Sequence, residues 1–382
     1  MNKLNALTTL RFFAAAAIVI EHMRAVLSSV TLFDGLPYDY GVSFFFVLSG
    51  FILTCVYKKG FEEPGSIRRY YALRVGRIWP LHVTTFVLAA FLLPPWLKFV
   101  GPEGPDVPLI ALTNVFLVNS WIPVARYFFS YNGVSWSIST EMFFYLMFPL
   151  LVRDWHHTWK WKAPLVWCLV ALLLSISTAA GFPDFDPRTP LAISSVGIAY
   201  IGPFARISEF VMGMVAAGFY LRNVDRGGHN VWVWTAIEIA SICSIGFLWH
   251  HASSLPMLIA GHRLDTNAWV VFFGHSCAAP GFALLITAMA FGRGLCSKIL
   301  SVRPMVLLGE ASFALYLIHQ ILIGLIRVHR DDWLRDYSDA QLYVAYWVVA
   351  LACAFALWRF IEMPARDMVK KISIRQWTAA KA

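Results

Sequence analysis

LNALTTLRFFAAAAIVIEHM, residues 4–23, is an apolar run of the length needed to cross a lipid bilayer. As a helix rising about 1.5 Å per residue it reaches about 30 Å, the thickness of the hydrocarbon core. It lacks the small-residue exit of a cleaved secretory signal and carries Glu21 and His22, so it reads as a retained first span. Similar runs follow at about 41–57, 79–99, 134–152, 163–181, 203–221, 231–250, 268–291, 305–326 and 340–361, which brings the expected number of spans to ten. Over 382 residues the chain is 59% hydrophobic and only 14% charged, where a soluble domain carries about 25%. The expectation is an all-α, polytopic membrane bundle filling 1–382 as one domain, with no soluble domain attached.

The net charge of +9 comes from Lys and Arg residues grouped between the apolar runs. That grouping points to loop topology and anionic lipid headgroups, not to nucleic acid. The six cysteines stand singly with no CxxC pair, which suggests neither a disulfide framework nor a zinc or other metal site.

Charge also decides the threading. Lys58, Lys59, Arg68, Arg69, Arg74 and Arg77 place the loop after the second span in the cytoplasm, and the N-terminus with it. The piece 107–121 is short and holds Thr113, Asn114, Asn119 and Ser120. If it does not cross, the loops with Arg153, Lys160 and Lys162, with Arg222 and Arg226, and with Arg293, Lys298 and Arg303 all become cytoplasmic, as does the basic tail. It is therefore expected to be re-entrant or interfacial. The outer loops then include Asp34, Asp39, Glu103, Asp106, Asp184 and Asp186. The stretch from Arg327 to Arg335, with three arginines, runs against the rule and is a place to meet an anionic acceptor.

Ionisable groups within a span cost several kcal/mol by insertion scales, so each is a functional suspect. Arg11 and His22 are eleven residues apart, three turns plus about 20° at 100° per residue, and share a face with the imidazole about 16 Å deeper. Such a helix presents a cation to a cytoplasmic anion and a base to something met halfway across. The structural alternative is an arginine snorkelling to headgroups and a satisfied core histidine. In RRYYALRVGRIWP, Arg74 and Arg77 are three apart and share a face if the stretch is helical, and a pair of guanidinium forks suits the phosphates of coenzyme A; topogenic charge is the alternative. In NGVSWSISTEMFFYLMFP, Glu141 lies within a span and needs a partner, either functional or structural, with Ser137 one turn before it. Ser49 in SFFFVLSGF and His319 in ASFALYLIHQ are weaker candidates for which packing is the default reading. Arg206 and Glu209 in RISEF are spaced as a structural ion pair.

Taken in order, LTTLRFFAAAAIVIEH, GVSFFFVLSGFIL, the RxxR of Arg74 and Arg77, VSWSISTEMFFYLMFP, RISEFVMG, GEASFALYLIHQ and RFIEMPAR resemble the membrane-bound acyltransferase family 3, the O-acyltransferases of surface polysaccharides, lipopolysaccharide and similar glycans. The resemblance covers nearly the whole chain. It implies that His22 is the catalytic candidate and that Arg11, Arg74 and Arg77 hold an acyl-CoA donor, acetyl-CoA above others. Glu21 departs from the aromatic or apolar residue commoner before that histidine, and the hydrolase-like domain appended in some members is not expected. On this reading His22 acts as general base on a glycan or lipid-linked sugar hydroxyl, Glu141 orients the imidazole or the sugar, and Ser49, Ser137, Arg206, Glu209 and His319 contribute to the substrate site. A transient acyl-enzyme on His22 or Ser49 is the alternative route. The location implied is a bacterial inner membrane with both termini cytoplasmic. The rival of another class is a secondary transporter, which calls for inverted repeats and interrupted spans that the sequence does not display. A second rival, the separate membrane-bound O-acyltransferases of lipids and proteins, calls for a histidine late in the chain.

Overall fold

The computed structural model describes residues 4–27, 29, 40–226, 230–251 and 268–379. Asp34 and Asp39, expected in an outer loop, lie outside the described residues. Nine helical runs among the described residues are long and apolar enough to cross a bilayer, and Gly41–Val56, with 16 residues, is a shorter tenth. The chain is thus an all-α, multi-pass membrane bundle. In chain order its principal helices are α1 (Asn5–Arg24), α2 (Gly41–Val56), α3 (Ser66–Leu92), α4 (Val107–Val115), α5 (Ser135–Val152), α6 (Trp155–Ala179), α7 (Pro203–Asn223), α8 (Val231–His250), α9 (Ala268–Ser276), α10 (Ala279–Phe291), α11 (Arg303–His329), α12 (Asp339–Leu357) and α13 (Met363–Ala379).

Burial separates a central set from a peripheral one. The apolar windows of α5 and α11 are each 67% buried inside the protein, whereas that of α8 is 11% buried. Peripheral helices turn large apolar side chains outward, among them Leu172, Ile176, Ile239, Phe247, Val344 and Val348, as a lipid-facing surface requires. α2 can be short because most of its residues pack against protein on all sides. Its tightest neighbour is α7: a Cβ built on Gly50 would sit 1.9 Å from the Phe210 carbonyl oxygen, and one on Gly213 would sit 1.9 Å from that of Val47. The two backbones touch through these glycines, the close approach that small residues allow in membrane bundles.

Three expected boundaries shift. α3 begins at Ser66, not near 79, so the basic run is helix and not loop. Its arginines, which a hydropathy limit excludes, occupy its first turns, and Pro80 lies inside the helix without ending it. α6 likewise starts at Trp155, ahead of the expected 163. The last span continues through a π-helical turn, Trp358–Glu362, into α13, which packs on α3 where Val369 meets Gly76.

The piece 107–121 does not cross. Helix α4 has nine residues, about 14 Å, less than half the hydrocarbon thickness. Leu117 then takes a left-handed φ of 55° and turns the chain into a short 3-10 segment, Asn119–Trp121. Its polar residues are buried and most are bonded: Asn114 donates to Ser130 Oγ at 2.8 Å, the Asn114 carbonyl accepts from the His82 ring at 2.8 Å, and Ser120 donates to Ser139 Oγ at 2.8 Å, while the Asn119 side-chain amide has no hydrogen-bond partner among the described residues. This short wedge braces α5 from the side.

Candidate active site

Two cavities lie along α1 and α11, one in each half of those helices. The larger, about 720 Å³, is walled by the first turns of α1 and α11 and by α2, α3 and α5. The smaller, about 280 Å³, is walled by the last turns of α1 and α11. Val42 and Tyr316 line both, so these two side chains form the partition.

Helical register puts Arg11, Arg74 and Arg77 into the wall of the larger cavity, and α11 adds Arg303. Against these four arginines the wall carries two glutamates, Glu141 and Glu310, an excess of positive charge suited to an anionic ligand. The Arg74 guanidinium stands over the rings of Tyr70 and Tyr145 at 5.9 and 5.7 Å, and its buried Nε has no hydrogen-bond partner among the described residues. Glu141 accepts hydrogen bonds from Ser49 Oγ at 2.9 Å and from Tyr145 Oη at 2.7 Å. Ser137 lines the same cavity and is hydrogen-bonded to the Tyr316 hydroxyl at 2.7 Å.

His22 lines the smaller cavity with Gln320, Arg327 and the rings of Tyr131, Trp136 and Tyr200. Its Nδ1 lies 2.8 Å from Nε2 of His319. The rings are 6° from parallel, and their 5.1 Å centre-to-centre distance is that bond extended by the two ring radii, so they meet edge to edge in one plane. Gln320 Oε1 is buried beside this cavity with no hydrogen-bond partner among the described residues.

The structure thus joins Arg11, Arg74, Arg77, Ser49, Ser137 and Glu141 around one cavity and places His22 in the adjoining one. Glu141, expected to orient the imidazole or the sugar, is instead held by Ser49 and Tyr145 on the arginine side. The group that meets His22 is His319, and His319 is fully buried and lines neither cavity, contrary to its expected place in the substrate site. Arg206 and Glu209, also expected there, line neither. Their groups pair at 3.0 Å, Ser43 donates to Glu209, Arg206 donates to Ser276 Oγ at 2.8 Å, and its guanidinium lies over Phe46 and Tyr200. A buried ion pair tied by these further bonds holds α7 to its neighbours. Tyr145, Tyr316 and Gln320 join the site without having been among the sequence candidates. Tyr145 had a signal, being one helical turn beyond Glu141; the partition role of Tyr316 had none, because it depends on helices far apart in the chain.

Residues 4–359 match a family model described as an acyltransferase domain. The chain is 29% identical to acyltransferase MdmB of Streptomyces mycarofaciens over 95% of its length and 91% of that protein. It is 22% identical to O-acetyltransferase OatA of Staphylococcus aureus over 95% of its length and 57% of that protein. It is 25% identical to peptidoglycan O-acetyltransferase OatA of Listeria monocytogenes over 85% of its length and 51% of that protein. The chain spans about half the length of these two O-acetyltransferases. No solved structure matches. With nearly its whole length accounted for by one family model, the chain belongs to acyltransferase family 3 and is a membrane acyltransferase.

Proposed function

We propose that the protein is an O-acyltransferase of a bacterial plasma membrane, moving an acyl group, acetyl in the first instance, from cytoplasmic acyl-CoA to a glycan hydroxyl. The observation that carries this reading is the pair of adjoining cavities, the arginine-lined one on the donor side and the one lined by His22 on the acceptor side. The grouping of basic loops supports a cytoplasmic location for the arginine end and both termini. The acetyl group and the glycan follow the O-acetyltransferase relatives, one of them a peptidoglycan O-acetyltransferase.

Arg74, Arg77 and Arg11 bind the phosphates of the donor, and the thioester points past Val42 and Tyr316 toward His22. The acceptor hydroxyl lies against His22, whose Nε2 takes its proton as the oxygen attacks the thioester carbonyl carbon. The carbon–sulfur bond breaks, the proton passes to the departing thiolate, and the products are a glycan ester and free coenzyme A. The aromatic walls of the acceptor cavity suit a sugar ring, and Gln320 offers an unpaired acceptor to one of its hydroxyls.

A His22→Ala variant assayed in membranes with labelled acetyl-CoA is expected to lose on the order of 10²-fold or more of its transfer rate while still binding acetyl-CoA. Full transfer by that variant would overturn the reading.

A further inference from the structure

Two hydrogen bonds in series assign the protons of the buried histidine pair. His319 Nδ1 lies 2.5 Å from the carbonyl oxygen of Tyr316, and a carbonyl only accepts, so this nitrogen carries a hydrogen. His319 is fully buried, and among the described residues no carboxylate hydrogen-bonds to either ring, so a second proton would make it a buried, unpaired cation. Its Nε2 therefore holds a lone pair, and His22 Nδ1, 2.8 Å away, must donate to it. A neutral imidazole has one N–H, so the lone pair of His22 resides on Nε2.

We infer that His319 is a positioning residue that holds His22 in its Nδ1–H tautomer, the minority form of a neutral imidazole in water, and so keeps Nε2 free to take the acceptor's proton. This rests on the function proposed above. It assigns to a second histidine the task that a carboxylate performs in many catalytic sites, orienting the base through its far nitrogen. When Nε2 accepts a proton, the Nδ1–H of the resulting imidazolium still points at a neutral nitrogen, so the charge gains a partner without a fixed anion beside the donor. The other titratable or charged groups facing this cavity are Glu21 on α1, Tyr131, Tyr200, Tyr316 and Arg327; Glu21 is already paired with Arg24 at 3.2 Å. The backbone that carries His319 is anchored as well. The His319 carbonyl accepts from Tyr346 Oη at 3.3 Å, and α11 lies against α1, where Gly309 meets the Thr8 carbonyl.

The test is nitrogen NMR on the full-length protein in detergent, with ¹⁵N-labelled histidine and the His22 signals assigned by their loss in His22→Gln. Long-range proton–nitrogen correlations are expected to show His22 protonated on Nδ1; protonation on Nε2 would overturn the inference. A second arm compares two substitutions at His319. Glutamine can accept from His22 Nδ1 through its side-chain oxygen, so His319→Gln should stay within about tenfold of the parent kcat, whereas His319→Leu should lose on the order of 10²-fold or more. KM for acetyl-CoA should be unchanged in both. Equal kcat in the two variants, or a loss appearing in KM instead, would reduce His319 to packing. The tautomer is read in the resting protein, so failure of the proposed function, signalled by an active His22→Ala variant, is distinguishable from failure of this assignment.

Discussion

Glu141 and Glu238 both stand inside spans, yet their surroundings give them different meanings. Glu238 accepts from the backbone amides of Gly294, Cys296 and Ser297 at 3.2, 3.0 and 3.3 Å, capping the short helix Leu295–Leu300. Helix N-termini are ready sites for a carboxylate, so this one is structural. Glu141 faces a cavity and is held by two hydroxyls, which leaves it available to a ligand. An ionisable residue in a span is thus a question about partners, and those partners lie far away in sequence. Asp106 and Arg126, outside the spans, show the same dependence. Arg126 is 4% exposed and makes two bonds to the Asp106 carboxylate, at 2.5 and 2.7 Å, while its third nitrogen donates to the Pro102 carbonyl. Hydrogen bonding to Arg126 holds the Asp106 carboxyl below its usual range. A depressed carboxyl stabilises the fold fully above its unfolded pKa, and that contribution fades as pH falls through the lower folded value. Asp106→Asn is therefore expected to lower the melting temperature in detergent by a few degrees from pH 5 to 7. The gap should begin to narrow below about pH 4, as the unfolded carboxyl takes up a proton, and should close once the pH is below the depressed folded value, where the parent loses its own bridge. A gap independent of pH down to 3 would mean that the carboxylate charge contributes nothing.

The helices themselves were largely legible from hydropathy: each of the ten expected spans contains a helix, and the short polar piece at 107–121 does not cross. Apolar content marks where lipid begins, not where a helix does. That is why α3 and α6 begin upstream of their expected starts, on residues such as Arg68, Arg69 and Lys160 that reach toward headgroups. Nor does hydropathy name neighbours. The pairing of α2 with α7 is written in Gly50 and Gly213, but a glycine in a membrane helix has many possible partners, and the match is visible only once both Cβ positions are found occupied by carbonyl oxygens. Gly213→Leu is expected to force α2 and α7 apart and destabilise the protein by at least about 2 kcal/mol, because neither backbone can yield without dragging the Arg206–Glu209 pair with it. Thermal unfolding in detergent would read this as a fall of several degrees. Gly246→Leu is the control, since a Cβ at Gly246 on peripheral α8 meets nothing within 4 Å; equal effects would remove the close approach as the cause.

At the scale of the whole molecule, the opening helix carried the right information in an incomplete form. The spacing of Arg11 and His22 put a cation and an imidazole on one face, but a single helix cannot reveal that Val42 and Tyr316, from α2 and α11, divide that face between two cavities. The division has a consequence for transfer. A donor held by arginines on one side and an acceptor held beside His22 on the other can react only if the acyl carbonyl passes this partition. Val42 is 5% exposed, and its side chain has little volume to obstruct that path. Val42→Trp would fill the gap with an indole while leaving Arg11, Arg74, Arg77 and His22 untouched. Overpacking of this kind costs about 1–3 kcal/mol, so a folded variant is expected and can be verified by its melting temperature. Acetyl-CoA binding should remain within about threefold of the parent, because the proposed phosphate site is at the arginines and not at Val42, while kcat for acetyl transfer should fall by at least about tenfold, the effect of 1.4 kcal/mol on a barrier. Val42→Ala should do the reverse for bulk, raising the rate with butyryl-CoA relative to acetyl-CoA. If Val42→Trp transfers acetyl groups at the parental rate with unaltered KM, the acyl group travels by a path other than the partition, and the two cavities are not the two halves of one reaction.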